Sequence, residues 1–290
     1  MLEAQAKSLL RIFPTPAEPV LLHGLYLSEP FRPPGRESRP FVYANFISSL
    51  DGRISLPDAR TRKRCVPPAI ANMRDWRLFQ ELAACADALV TSGRYVRDLP
   101  NGVSDRSFPV SRKAAYEDLL QWRRARGLTP QPAVVIVTAS LDLPPLGGLV
   151  QSDRSLYVAT GSAADSRDIA RVESQGVRVL RVGDGPRVEG RKLIEALTRE
   201  AHWNIGVIAG GEVLNALIVD DVLDRLYVTV ACRMLGGQLF DTLLTGPVLD
   251  PPARFGLQAL HYDADGPDET NVEQLFAIFD RRARPRPRSS

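Results

Sequence analysis

Along most of the chain, short apolar runs bounded by turn residues alternate with longer stretches in which apolar residues recur at helical spacing. Several of these runs are continuous, as at 134–137 (Val-Val-Ile-Val), which is typical of strands buried on both faces of a sheet. The pattern predicts strands at 41–47, 88–91, 133–137, 156–159, 177–181, 205–209, 226–231, 256–260 and 274–279. It predicts helices at 68–84, 111–126, 164–174, 190–200 and 212–219.

Alternation of strands and helices favours an α/β fold, in which helices cover both faces of a mostly parallel central sheet. The last two predicted strands have no helix between them, so we expect them to form an antiparallel edge pair at the C-terminal side of the sheet. The segment 98–109 is expected to be a loop, and no internal repeat is visible.

The two ends of the chain differ in composition from this regular region. Seven prolines lie in the first forty residues, and because each lacks an amide donor and has a fixed φ, residues 1–40 are expected to form an irregular arm. Only 20–27 could pair as a short strand. We expect a single domain over 41–280 and a disordered tail, rich in Arg and Pro, over 281–290.

The net charge of the chain adds little to these predictions. The net charge is +3, but five arginines lie in the last ten residues, so the positive balance describes the tail, and we expect no nucleic-acid partner. No run of about 18 apolar residues is present, so no membrane span is expected. The three cysteines, Cys65, Cys85 and Cys232, are far apart, a pattern that favours a reducing cytoplasm over a disulfide framework.

The glycine pair at 210–211 is the most informative local feature. An apolar strand runs through Ile208-Ala209 into Gly210-Gly211, and a helical pattern begins at Glu212-Val213-Leu214. Glycines allow a ligand to approach the backbone, and the free amides and partial positive charge of a helix N-terminus favour an anion such as a dinucleotide pyrophosphate. The alternative is a tight strand-to-helix turn that binds nothing.

Two further polar segments follow predicted strands. Thr91-Ser92-Gly93-Arg94 closes one of them, at the position where open α/β sheets bind ligands; an ordinary polar turn is the alternative. The segment 45–54, Asn-Phe-Ile-Ser-Ser-Leu-Asp-Gly-Arg-Ile, runs into an Asp-Gly turn. Asp51 is therefore either part of a generic turn or a carboxylate that orients a cofactor or substrate by accepting hydrogen bonds.

In their order and spacing, four motifs resemble the reductase domain of bifunctional riboflavin-biosynthesis deaminase–reductases, which has the dihydrofolate-reductase-like three-layer fold. The resemblance covers roughly 41–279. It implies a homodimer that uses NADPH as hydride donor to an open-ring ribosylamino-pyrimidine. The motifs are Ser-Leu-Asp-Gly-Arg-Ile at 49–54, Ala-Asp-Ala-Leu-Val-Thr-Ser-Gly at 86–93, the Gly210-Gly211 turn, and Leu-Asp-Arg-Leu at 223–226 leading to Leu-Gly-Gly at 235–237.

Matched residue by residue, the resemblance assigns Ser48 to the nicotinamide and Ser140 to the adenosine end of the cofactor. Substrate would lie between Asp51 and the loop from Asp98 to Arg106, although a one-residue gap leaves Arg106 only loosely matched. We expect the Asp51 carboxylate and the Ser48 backbone to orient nicotinamide and substrate for hydride transfer. The remaining cofactor contacts would be Ser92, Gly93, Asp98, Gly210, Gly211, Glu212, Val213 and Leu214.

Three positions depart from the family pattern. An acidic residue is usual where Ala209 stands, an arginine where Ala83 stands, and a threonine where Tyr95 stands. Because an arginine can clamp a phosphate with two parallel hydrogen bonds, its loss removes a contact that alanine cannot replace. The substrate is therefore left open between a ribosylamino-pyrimidine or related pyrimidine and a pterin or folate. A third alternative is a nucleotide-binding protein without turnover.

Other chemistries find no support in the residue spacing. A zinc deaminase needs an H-x-E and a P-C-x-x-C, and neither the histidines nor the cysteines have that spacing. We expect no metal site, and no Gly-x-Ser-x-Gly elbow of a serine hydrolase is present. Arg94, Arg97 and Arg181 are the candidate partners for the 2′-phosphate that distinguishes NADPH from NADH.

Overall fold

A computed structural model of the chain describes residues 8–29, 38–99, 102–104, 107–264 and 272–282. Within these ranges the strands are β1 (Ser8–Phe13), β2 (Glu18–Leu21), β3 (Phe41–Ser49), β4 (Leu56–Pro57), β5 (Arg64–Cys65), β6 (Ala88–Ser92), β7 (Ala133–Val137), β8 (Leu156–Thr160), β9 (Arg178–Arg181), β10 (Asn204–Val207), β11 (Arg225–Ala231), β12 (Phe255–Asp263) and β13 (Gln274–Arg281). The helices are α1 (Met73–Cys85), α2 (Gly93–Asp98), α3 (Glu117–Ala125), α4 (Gly147–Val150), α5 (Ser166–Glu173), α6 (Gly190–Arg199) and α7 (Gly211–Val219).

Eleven of these strands form one sheet in the order β2-β1-β12-β13-β11-β3-β10-β6-β7-β8-β9. From β11 to β9 all neighbouring strands are parallel, which confirms the predicted parallel centre. The strand β7 occupies the predicted residues because its apolar run is buried between helices on both faces. All seven parallel strands end at the same edge of the sheet, where ligands of open α/β sheets bind.

Alternate residues of the parallel strands pack against two different helical layers. On one face Val42 packs in a cluster with Leu193 of α6 and Leu217 of α7. On the other face Tyr43 packs in a cluster with Leu78 of α1, and the same cluster includes α3. The alternation along β3 therefore gives the three-layer arrangement that the sequence predicted.

The last two strands, β12 and β13, pair antiparallel with each other, as predicted, and β13 also pairs antiparallel with β11. Two strands from the N-terminal arm extend this side of the sheet, because β1 pairs with β12 and β2 pairs with β1.

The prediction of an irregular arm is wrong for β1 and β2, because the prolines lie where they do not interrupt sheet hydrogen bonds. Pro14 and Pro16 fall between the two strands, and Pro19 lies in β2, the outermost strand of the described sheet. An edge strand tolerates proline because its outward amide needs no partner. Leu9 and Leu22 are buried against the rest of the molecule.

The prediction that disorder begins at residue 281 is also wrong. Arg281 is the last residue of β13, and its guanidinium forms an ion pair with Asp221 at 3.1 Å. The remainder of the predicted tail, 283–290, lies outside the described residues.

Helix boundaries shift where capping was not foreseen. The helix predicted from residue 68 begins at Met73, because the Asn72 side chain accepts hydrogen bonds from the amides of Arg74 and Asp75. The short helix α2 was not predicted, and only its last residue, Asp98, falls in the segment that we expected to be a loop. Within the described ranges, no helix has the length and apolarity needed to cross a bilayer.

Candidate functional site

Two adjoining cavities open at the edge where the parallel strands end. The larger, of ≈ 610 Å³, lies over the ends of β6, β7 and β10 and reaches the N-terminal ends of α6 and α7. The smaller, of ≈ 380 Å³, lies between β3, α1 and α2. Four residues line both cavities: Ser92, Arg94, Gly210 and Asp241.

The N-terminus of α7 forms one wall of the larger cavity. Gly210 is the N-cap, no side chain caps the helix, and Gly211, Glu212 and Val213 also line the cavity. The first amides of a helix have no acceptor in a preceding turn, so this end of α7 offers free donors and partial positive charge.

Gly211 is required by packing as well as by any ligand. A Cβ at this position would lie 2.7 Å from the Thr245 amide nitrogen, whereas a Cβ at Gly210 would meet only the end of the Arg94 side chain, at 3.1 Å. Backbone cannot withdraw as a flexible side chain can, so the loop at 244–245 makes glycine necessary at 211. A tight turn that binds nothing, the alternative stated from the sequence, would thus explain part of the need for glycine at 211. It does not explain why the amides at the start of α7 have no capping side chain.

Ser92 and Gly93 join β6 to α2. The Ser92 hydroxyl caps α2 by accepting a hydrogen bond from the Tyr95 amide at 3.2 Å. Gly93 packs against Thr138 of the neighbouring strand end, and a Cβ there would lie 3.0 Å from the Thr138 Cβ. The segment therefore has a structural role and forms a wall of the larger cavity at the same time.

Arg97 and Ser140 share one corner of the larger cavity. Arg97 Nη1 donates to the Asp142 carbonyl at 2.6 Å, and the Asp142 amide donates to Ser140 Oγ at 3.3 Å. Arg187, which the sequence did not single out, also lines this cavity. Arg181 lies on β9, at the far edge of the sheet, and does not line it.

Apolar and aromatic side chains form most of the wall of the smaller cavity. Trp76 and Phe79 lie side by side on α1, with ring centroids 5.2 Å apart. Phe46 lies on β3, and Ile208 directly follows the neighbouring strand β10. Flat apolar walls of this kind suit a heteroaromatic ring. The polar and ionisable residues on the wall include Asn45, Arg64, Asp75, Arg94, Asp98 and Asp241.

An ion pair forms part of the wall common to the two cavities. Both terminal nitrogens of Arg94 donate to the Asp241 carboxylate, at 3.3 and 3.1 Å. Asp241 also accepts from the Ser55 hydroxyl, and its backbone pairs with that of Ser55. The pair thus fixes the loop after β11 against the segment after β3.

Asp75 is one of the ionisable groups of the site that the sequence did not reveal. It lies in the first turn of α1 and lines the smaller cavity. Burial raises the pKa of its carboxyl to about 6, and the Thr229 hydroxyl, which donates a hydrogen bond to the ionised form, opposes part of this rise. No sequence motif marks this residue, because Thr229 comes from β11, far along the chain.

Asp51 lies outside the walls of both cavities. Its carboxylate accepts hydrogen bonds from Ser49 Oγ at 2.5 Å and from the Gly236 amide at 2.8 Å, and it forms an ion pair with Arg53 at 2.8 Å. The Ser49 hydrogen bond first, then those of the Gly236 and Leu235 amides, lower its pKa to about 2. The carboxylate therefore ties the turn after β3 to the loop at 235–236.

Of the other positions singled out from the sequence, some line the smaller cavity and others are buried. Asp98 lines the smaller cavity, and Ala209, where the family has an acid, lines it too. Ser48 is buried and its hydroxyl donates to the Ser49 carbonyl at 2.8 Å.

Leu214 and Ala83 are buried in the apolar core away from both cavities, and Arg106 lies outside the described residues. Among the described residues, no group of three or more His, Cys, Asp or Glu side chains could hold a metal ion.

Comparison with known proteins places this geometry in a family. The RibD C-terminal domain family matches residues 40–267. The curated protein 2,5-diamino-6-ribosylamino-4(3H)-pyrimidinone 5′-phosphate reductase of Archaeoglobus fulgidus is 26% identical over 209 residues, which cover 72% of this chain and 87% of that protein.

Solved structures share the fold. A pyrimidine reductase-like protein from Corynebacterium diphtheriae matches with a TM-score of 0.63 and 17% identity, covering 84% of this chain and 93% of that one. RibD of Acinetobacter baumannii matches with a TM-score of 0.59 and 17% identity, covering 86% of this chain and 60% of that one. The resemblance stated from the sequence motifs is confirmed.

Proposed function

Because the chain belongs to the RibD C-terminal domain family, we propose that it is a nicotinamide-dependent reductase of a ribosylamino-pyrimidine. Family membership and the curated relative make the chain an oxidoreductase. The observation that carries the proposal is the pair of adjoining cavities, one at an uncapped helix N-terminus and one with aromatic walls. A dinucleotide and a flat second substrate fit this division.

The larger cavity fits a dinucleotide in two respects. The amides at the start of α7 would hold the diphosphate, because they are free donors at the positive end of a helix. The corner formed by Arg97 and Ser140 would hold the adenosine end, with Arg97 as the partner of a 2′-phosphate and hence the basis of a preference for NADPH. When bound, the nicotinamide supplies the hydride.

The smaller cavity would bind the pyrimidine. Trp76 and Phe79 offer a stacking surface, and Arg64 and Arg94 are cations that could meet a ribose phosphate. The shared wall at Ser92 and Gly210 would place the substrate carbon that receives the hydride next to the nicotinamide.

This assignment changes the role that we expected for Asp51. Its carboxylate is held by the chain's own donors, so we assign it to positioning the loop at 235–236. The wall between the cavities takes its shape in part from that loop's continuation to Asp241.

The test is reduced-cofactor oxidation by the purified protein. The substrates to compare are 2,5-diamino-6-ribosylamino-4(3H)-pyrimidinone 5′-phosphate, 5-amino-6-(5-phosphoribosylamino)uracil and dihydrofolate. We expect turnover with one of the two pyrimidines and none with dihydrofolate. Turnover with dihydrofolate alone would assign the smaller cavity to a pterin, and binding of NADPH without turnover of any substrate would overturn the proposal.

Three further aspects of the proposal concern the whole chain. We expect the reaction to take place in the cytoplasm, where the three cysteines, free in the structure, would stay reduced. We also expect a homodimer and a single catalytic domain that includes the N-terminal arm.

A further inference from the structure

Asp75 is an acid on the wall of the smaller cavity. Among the ion pairs between described residues, none includes Asp75. The two nearest arginines on the same helix, Arg74 before it and Arg77 after it, form ion pairs with other acids. Arg74 pairs with Asp263 at 2.5 Å, and Arg77 pairs with Glu81 at 2.8 Å and with Asp118 at 2.5 Å.

The surroundings of the Asp75 carboxyl are apolar or uncharged on most sides. Thr229 on β11 donates a hydrogen bond to it, and the buried phenol of Tyr26 from the N-terminal arm lies near enough to sense its charge. Across the cavity, Arg94 is paired with Asp241. The other ionisable groups that line the same cavity are Arg64, Cys65, Tyr95 and Asp98.

A buried carboxyl in this setting stays protonated at a higher pH than one in water. Burial raises the pKa of Asp75 to about 6, so the acid form is well populated just below neutral pH. A general acid works best when its pKa lies near the working pH. An asparagine would keep a hydrogen bond with Thr229 without burying a titratable group, so packing alone does not call for an acid here.

We propose that Asp75 is a catalytic residue that donates a proton to the substrate nitrogen bonded to the carbon that receives the hydride. The inference rests on the proposed function, since it requires a substrate C=N bond in the smaller cavity. It also requires a reduced nicotinamide as the co-reactant.

The step balances in atoms and charge. Hydride adds to the carbon of the C=N bond, the π electrons move to nitrogen, and the nitrogen takes the proton of the Asp75 carboxylic acid. The substrate is reduced to an amine, the nicotinamide is oxidised, and Asp75 is left as a carboxylate. Because the residue retains some accessible surface, it regains a proton from solvent once product leaves.

The test compares Asp75→Asn with wild type across pH. In wild type, the rate of hydride transfer is expected to fall as pH rises through about 6, because the acid form disappears. Asp75→Asn should lose on the order of 100-fold in kcat and show no such fall, while its Kd for NADPH is unchanged. Asp153→Asn, at an exposed ion pair outside both cavities, is the matched control and should behave as wild type.

Thr229→Val provides a second variant that keeps Asp75 in place. Its hydroxyl stabilises the ionised carboxyl, so its removal should raise the pKa of Asp75 and move the fall in rate to higher pH. A purely structural role would not produce this shift. Infrared spectroscopy of the cofactor-free protein adds a readout independent of turnover: a carboxylic-acid band that titrates near pH 6 in wild type should be missing in Asp75→Asn.

The outcomes separate this proposal from the function on which it rests. If wild type oxidises NADPH with a pyrimidine, and Asp75→Asn retains both the rate and its pH dependence, Asp75 is not the proton donor and the reductase assignment stands. If the infrared band persists in Asp75→Asn, the titrating acid is another residue. If wild type turns over no pyrimidine, the proposed function falls and this proposal with it.

Discussion

Two aspartates near the ligand edge of the sheet have opposite electrostatic environments. Hydrogen bonds from Ser49 and the Gly236 amide stabilise the ionised form of Asp51 and hold its pKa near 2. Burial among apolar side chains disfavours the ionised form of Asp75 and raises its pKa to about 6. A carboxylate that is already saturated with donors suits a structural tie, whereas an unpaired acid in a cavity suits proton transfer.

Asp51→Asn tests the structural tie. Because the folded-state pKa lies below the unfolded value, the ionised carboxylate stabilises the fold above about pH 4, and this contribution is lost as pH falls through about 2. We predict a lower Tm for the variant at neutral pH and a gap that narrows toward pH 2. Equal melting temperatures at neutral pH would contradict the tie.

Arg97→Gln tests the preference between cofactors. If Arg97 binds the 2′-phosphate, its loss should raise the KM for NADPH by about 10- to 100-fold and leave the KM for NADH unchanged, since a charge-assisted pair contributes roughly 1.5–3 kcal/mol. Arg181→Gln, on β9 outside the cavity, is the matched control. A parallel change in both KM values would place the 2′-phosphate elsewhere.

At the scale of elements, local patterns located the parallel strands and the helices that cover them. The run Val-Val-Ile-Val of β7 is unambiguous because both its faces are buried. The strand β1 was missed because its partner β12 lies about 250 residues away, and only that pairing shows that the arm belongs to the sheet. The start of α1 was missed because a cap at Asn72, rather than the apolar pattern, fixes it.

The candidate site also contains both features that local sequence patterns predict and features that depend on distant contacts. The glycine turn and the Ser92 segment could be found from the sequence because a strand, a turn and a helix follow one another there. Asp75 could not, because its significance depends on burial and on a hydrogen bond from Thr229 on a distant strand. The hydrogen bonds that the amides at 235–236 donate to the Asp51 carboxylate could not be predicted from the sequence either.

Gly211→Ala tests the junction between β10 and α7. Its Cβ would lie 2.7 Å from the Thr245 amide nitrogen, so the backbone must move, at a cost of about 1–3 kcal/mol. We predict a lower Tm and weaker NADPH binding. Gly210→Ala, which meets only the Arg94 side chain, should keep a Tm close to that of wild type. Equal Tm values for both variants would show that the loop at 244–245 does not constrain this turn.

At the scale of the whole molecule, the N-terminal arm completes the sheet on its antiparallel side. Glu81 of α1 accepts hydrogen bonds from the amides of Gly24 and Tyr26, at 2.7 and 3.0 Å, which joins the arm to the helical layer. The outward surface of β1 and β2 carries exposed apolar side chains, namely Leu10, Ile12, Phe13 and Leu21. Apolar residues grouped on an edge hairpin indicate a contact surface.

We predict that a second copy of the chain covers this hairpin. Light scattering should give twice the chain mass of 31.9 kDa, and Leu21→Lys should shift the protein toward the monomer because it places a charge in the interface. Val248→Lys, at a fully exposed position, should remain a dimer. A wild-type mass of one chain at every concentration would contradict this assembly.

The central claim is that the N-terminus of α7 holds the diphosphate of a reduced nicotinamide. A crystal structure of the protein soaked with NADPH tests it most directly. We predict diphosphate oxygens within hydrogen-bonding distance of the Gly211 and Glu212 amides, and the adenosine end beside Ser140. A dinucleotide bound with its diphosphate away from α7, or no bound dinucleotide at saturating concentration, would contradict the account.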